Sequence, residues 1–150
     1  MTITSRPAHR ARRSRQLGTG LHIAFYRLTG GLLGGNLGLA RCLLLTTTGR
    51  KSGQRHTVPL AYFEIEGERC VVASNWGGEY HAAWYLNLLT NPRVEIQLGR
   101  RRQVATAVVA GPAERARLWP RLVAQMPVYA RYQAGIGREI PVVLLKPIQA

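Results

Sequence analysis

The sequence predicts an α+β chain, mainly β, folded as a small antiparallel barrel with helices packed around it. Three observations point there. Short β-branched or alternating runs follow one another across turn signals. They come as three strands, a helix, two strands, two helical pieces and a last strand, without the strand–helix alternation of a parallel doubly wound sheet. At 150 residues and 46% hydrophobic, the chain can fill one core.

Residues 1–16 read as a disordered Arg/Ser/Pro arm ahead of a single domain over 17–150. Residues 17–29 suit a short helix, and Gly30 to Gly38 is glycine-dense enough to be loop. Cys42 to Thr48 is a strand ending at Gly49, and Thr57 to Ile65 is the next, turned at Glu66-Gly67-Glu68 into Arg69 to Ser74. Tyr80 to Thr90 carries i,i+4 apolar pairs and predicts a helix stopped at Asn91-Pro92. Val94 to Leu98 alternates as a half-buried strand, and Gly99-Arg100 turns it into Arg102 to Val109. Gly111-Pro112 opens a helix through Gln125, kinked or restarted at Pro120; Val128 to Ala134 is helical and Pro141 to Lys146 is the closing strand.

The charge is lopsided. Against 21 Lys+Arg stand 7 Asp+Glu, a net +14, and the first carboxylate is Glu64. No Asp occurs, which excludes Ser-His-Asp and Asp-based metal or phosphotransfer schemes unless Glu substitutes. His9, His22, His56 and His81 lack metal-ligand spacing. Cys42 and Cys70 lie in apolar runs and read as buried free thiols in a reducing compartment. No apolar run reaches the roughly 18 residues of a membrane span. The stretch after Arg12-Arg13 is interrupted by His22, Arg27 and Asn36, so an uncleaved, cytoplasmic protein is expected. The basic arm beside the amphipathic Leu21 to Leu28 adds an expected peripheral contact with the inner face of the cell membrane.

In Gly49-Arg50-Lys51-Ser52-Gly53, a strand delivers two glycines that bracket Arg, Lys and Ser. Glycines let backbone N–H groups approach an anion, Arg50 offers a bidentate fork, Lys51 a point charge and Ser52 a hydroxyl, so this is a phosphate or carboxylate site. It is not a Walker loop, whose glycine positions would fall on Leu45 and Arg50. An isolated loop of this kind is better read as a solvated basic hairpin turn, and it gains weight only from its company.

The loop has company. Tyr26 to Gly31, Leu43 to Gly53 with Pro59-Leu60, Val71 to Gly78, Ala83 to Leu88 with Asn91-Pro92, then Trp119-Pro120, Tyr129, Tyr132 and Ile140-Pro141 together resemble the deazaflavin-dependent nitroreductase family over roughly residues 22–148. The resemblance implies a split β-barrel, FMN-binding-like, that binds coenzyme F420. It further implies hydride transfer from the reduced deazaflavin to a quinone, enone or nitro compound. It assigns Arg50, Lys51, Ser52 and Gly53 to the coenzyme phosphate, with Arg55 or His56 contributing. Pro59 and Leu60 would lie beneath the ring, Ala73-Ser74 at the strand end facing it, and Trp84 and Asn87 beside it. Ser74, Tyr129 and Tyr132 become the catalytic candidates, the tyrosines covering the substrate pocket.

Some positions depart from the family pattern. His56 replaces an Arg, Asn75 stands in the coenzyme set where the prototype has Lys, Ala61 replaces a tyrosine with Tyr62 one place on, and Met126 replaces a lid aromatic. Coenzyme binding is thus better preserved than the substrate pocket. Flavin mononucleotide as the cofactor, and F420 binding without efficient turnover, are the alternatives. Nucleic-acid binding through the basic arm and Arg100-Arg101-Arg102 ranks lower, because no recognition motif accompanies the charge. The partner is a small-molecule electron acceptor, and the oligomeric state is monomer or homodimer.

Overall fold

A computed structural model describes residues 36–37 and 40–148. The disordered arm, the helix over 17–29 and most of the Gly30–Gly38 loop lie outside the described residues. Seven strands and three helices follow: β1 (Asn36–Leu37), β2 (Ala40–Thr48), β3 (Arg55–Ile65), β4 (Glu68–Val72), α1 (Ala83–Thr90), β5 (Arg93–Leu98), β6 (Arg101–Val109), α2 (Pro112–Gln125), α3 (Val128–Ala134) and β7 (Val142–Pro147). A 3-10 turn at Asn75–Gly77 separates β4 from α1.

All pairings are antiparallel. The order β2-β3-β4-β7-β6-β5 closes because β5 returns to β2, with Leu45 opposite Ile96. The expected loop before β2 is corrected at one point: Asn36–Leu37 is strand, pairing with Arg41 and Ala40 on the edge of β2 beyond β5. Two-residue turns set the β3–β4 and β5–β6 hairpins. Glu66 and Gly67 both have positive φ, and Gly99 supplies the positive φ between Leu98 and Arg101.

The barrel has two cores because its strands are buried on both faces where helices cover them. Val143 and Leu145 point into the lumen with Leu43, Leu45, Val71 and Ile96. Val142 and Leu144 point outward onto Leu118 and Leu122 of α2 and Tyr129 of α3. That double burial explains the unbroken apolar run of β7. Cys42 and Cys70 are buried thiols outside any disulfide, and burial pushes both up to about 11.

Two predicted boundaries are corrected. The helix expected from Tyr80 starts at Ala83, because Ala82 is extended and the Tyr80 carbonyl accepts a hydrogen bond from Asn75 Nδ2 at 2.9 Å. Pro120 neither breaks nor restarts α2, which runs unbroken over it. Ala116, four residues back, is exposed, so water can satisfy the carbonyl that a proline leaves without its donor. None of the described helices is long and apolar enough to cross a membrane.

Candidate active site

The ends of β2 and β4 open at the same end of the barrel, and a cavity of about 480 Å³ lies there. That size suits a small-molecule site, which spans roughly 300–1,000 Å³. Val58, Pro59, Leu60 and Ala61 of β3 form its apolar floor. Ser74, Asn75 and Trp76 rise on one side, Trp84 on another, and Met126, Tyr129 and Tyr132 close over it.

Tyr129 is held by aromatic packing, edge-on to Phe63 at 5.9 Å and tilted against Trp119 at 6.4 Å and Tyr132 at 6.5 Å. Burial, with Tyr132 beside it, pushes its phenol up to about 12. It therefore stays a neutral hydrogen-bond donor at physiological pH and is too weak an acid to give up its proton readily. Ala61 lines the cavity, whereas Tyr62 packs against the lumen core and does not line it. The tyrosine that the resemblance places after Pro-Leu is therefore displaced out of the pocket.

The turn after β4 is strained. Asn75, Trp76 and Gly77 have φ of 47°, 57° and 76° in succession. A bulky residue in the left-handed region is rare, and Trp76 is also 84% exposed at the cavity rim. Gly77 is required twice: by its φ, and because a Cβ there would lie 2.6 Å from Tyr132 Cδ1. From the other side, Arg138 donates to the carbonyls of Ser74 (3.0 Å) and Gly78 (2.9 Å from Nη2, 3.1 Å from Nε), with Ala73 O at 3.4 Å. His81 Nδ1 is 3.3 Å from Arg138 Nη1, and burial together with this guanidinium lowers the imidazole pKa below its ordinary value.

The Gly49–Gly53 loop is closed by Gly49 N–H to Gln54 O at 2.7 Å and Gly53 N–H to Gly49 O at 2.8 Å. Asn87 of α1 anchors it. Its Oδ1 accepts from both Arg50 N and Arg50 Nη1 at 3.1 Å, and its Nδ2 donates to Thr47 Oγ1 at 3.2 Å. The N–H groups of Lys51 and Ser52 have no partner among the described residues, nor does the exposed Lys51 ammonium. Two successive amides without partners, beside two cations, are donors of the kind that hold an anion. Donor type therefore fits a phosphodiester at the loop, and the apolar floor reached by β3 and α1 fits a flat ring.

The cavity thus gathers Pro59, Leu60, Ser74, Asn75, Trp84, Tyr129 and Tyr132. Arg50, Lys51, Ser52 and Gly53 lie together on the adjoining loop, with the His56 ring packed by Gly49 and Ser52. Three candidates sit elsewhere. The Ala73 side chain is buried in the lumen, Asn87 is committed beneath the loop, and Arg55 is paired with Glu95 at 2.8 Å. Sequence reasoning passed over Arg138 and the rim position of Trp76. No motif marks Arg138.

A family model described as F420H(2)-dependent quinone reductase matches residues 19–147. The F420H(2)-dependent quinone reductase Rv1261c of Mycobacterium tuberculosis is 40% identical over 130 residues, covering 83% of this chain and 87% of that protein. Among solved structures, an F420-H2 dependent reductase (FDR-A) matches with TM-score 0.63 at 39% identity, over 70% of this chain and 93% of that one. A structure described as a domain-swapped dimer matches with TM-score 0.66 at 34% identity, over 85% and 95% of the two chains.

Proposed function

The chain belongs to the F420H(2)-dependent quinone reductase family, and from that premise we propose how its split barrel serves the reaction. The protein is an oxidoreductase that uses reduced coenzyme F420 to reduce a quinone. What supports the site assignment is connectivity: the loop that leads into β3 is tethered to Asn87 of α1, and β3 and the start of α1 also line the apolar, tyrosine-covered cavity. When bound, reduced F420 supplies a hydride.

The protein's part is binding, orientation and electrostatics. Lys51, Arg50 and the Lys51 and Ser52 amides would hold the phosphodiester. Pro59 and Leu60 would support the ring, and Trp84 would border it. Reduction of a quinone consumes one hydride and one proton and yields a hydroquinone. Negative charge develops on the acceptor's carbonyl oxygen, so donors aimed there lower the barrier. Ser74 and the two lid tyrosines are the hydroxyls that line the cavity. The Tyr129 phenol remains protonated and would donate only a hydrogen bond, whereas Tyr132, half-buried, is the lid hydroxyl that would relay the proton to the acceptor.

Anaerobic mixing of the purified protein with reduced F420 and menadione tests the reaction. The expected result is protein-dependent return of the oxidised coenzyme's visible absorbance. Absence of turnover with quinones, enones and nitro compounds alike would refute it.

A further inference from the structure

We propose that Arg138 is a positioning residue for this reaction, setting the Ser74–Gly78 turn and with it the hydroxyl and indole presented to the cavity. The inference rests on reading the cavity as the reaction site and adds a residue that lines neither the cavity nor the anion loop.

The geometry carries it. Among the described residues the guanidinium faces no carboxylate; its donors are spent on the carbonyls of Ala73, Ser74 and Gly78 and on His81. One nitrogen, Nη2, bridges the Ser74 and Gly78 oxygens, which fixes the chord of the turn. Within the turn, only Gly77 N–H to Ser74 O and Gly78 N–H to Asn75 O, both 3.0 Å, and Asn75 Nδ2 to Tyr80 O oppose its opening. Two non-glycine residues at positive φ persist only where the surroundings over-determine them.

Those surroundings come from one short segment. Tyr132 braces Gly77 on the cavity side and Arg138 holds the carbonyls on the other. Arg138 is itself fixed: Gln133 Nε2 donates to its carbonyl at 2.8 Å. Gln133 Oε1 accepts from Ile140 N–H at 2.8 Å and Arg115 Nη2 at 3.1 Å. The lid helix and the turn are therefore locked together by the chain that leaves α3. A planar, multi-donor cation is the side chain that can serve several diverging carbonyls at once; an ammonium serves fewer.

Arg138→Met and Arg138→Lys test this, with turnover of reduced F420 and menadione, F420 affinity by titration, and the His81 titration by NMR. For Arg138→Met, kcat should fall by about tenfold to a hundredfold from misplacement of the turn. F420 affinity should hold, because Asn87 tethers the anion loop independently. Millimolar guanidinium should restore part of the rate, and Arg138→Lys should be intermediate. In Arg138→Met the His81 pKa should move up toward its ordinary value, reporting loss of the cation. A stability defect alone would give neither the kcat-against-affinity split nor the rescue. Wild-type kcat in Arg138→Met, or in Arg138→Lys should the methionine variant not fold, overturns the proposal. So does a loss of kcat matched by lost affinity and not rescued. A wild-type protein inactive toward all acceptors would instead overturn the reading of the cavity itself.

Discussion

Asn87 lies buried beneath the anion loop, its amide divided between Arg50 and Thr47. Nothing about it faces the cavity, yet the loop's shape depends on it. Asn87→Ala leaves a buried hydroxyl and a backbone N–H without their partner, which should cost about 1–3 kcal/mol of stability. It should also weaken F420 binding through the loosened loop; denaturant melts and a coenzyme titration check both, and unchanged affinity would mean the loop is self-supporting. The tyrosines divide differently. Tyr132→Phe should lower turnover more than coenzyme affinity, read as kcat against the F420 titration, and an unchanged rate would remove its hydroxyl from the chemistry.

At the scale of elements, the turn after β4 and the loop after β2 each rely on a left-handed glycine for different reasons. Gly53, φ 70°, has open space around it, whereas Gly77, φ 76°, is pressed against Tyr132. Gly53→Ala should cost only backbone strain, about 1 kcal/mol. Gly77→Ala should cost more, about 2–3 kcal/mol, because strain and a clash combine. It should also slow turnover, since Tyr132 or Trp76 must move; equal melts for the two variants would contradict the packing. These elements were unevenly legible. The anion loop is local, with its glycines, cations and hydroxyl in five consecutive residues, so spacing was enough to find it. Strand order gave the barrel for a similar reason, since two-residue turns force neighbours to pair. The start of α1 was misjudged because its apolar spacing extends back to Tyr80, while a tertiary hydrogen bond holds that carbonyl out of the helix. Arg138 left no local trace, because the partners of its guanidinium lie 57 to 65 residues away in the chain.

For the whole molecule, two stacked cores bury groups that ionise only at high pH. Cys42 and Cys70 are pushed from 9.0 to about 11, and Tyr129 from 10.0 to about 12, each mainly by burial. The unfolded chain releases these protons first, so it binds fewer protons than the folded chain above pH 9. Stability is therefore complete below that point and declines as pH rises through the folded values. Thermal melts should fall steadily between pH 9 and 11; a flat profile would place the thiols in contact with water.

The net charge of +14 also resolves into places at this scale. Arg55, Arg69, Arg115, Arg117 and Arg121 answer glutamates, Arg138 answers carbonyls, Arg50 reaches Asn87, and Lys51 stands exposed on the same loop. Equilibrium titration with F420 and with flavin mononucleotide, for wild type, Arg50→Ala and Lys51→Ala, tests that assignment most directly. F420 should bind more tightly than the flavin. Each substitution should weaken it by about 1.5–3 kcal/mol, the worth of a charge-assisted hydrogen bond. A preference for flavin mononucleotide, or two variants that bind F420 as wild type does, would contradict the account.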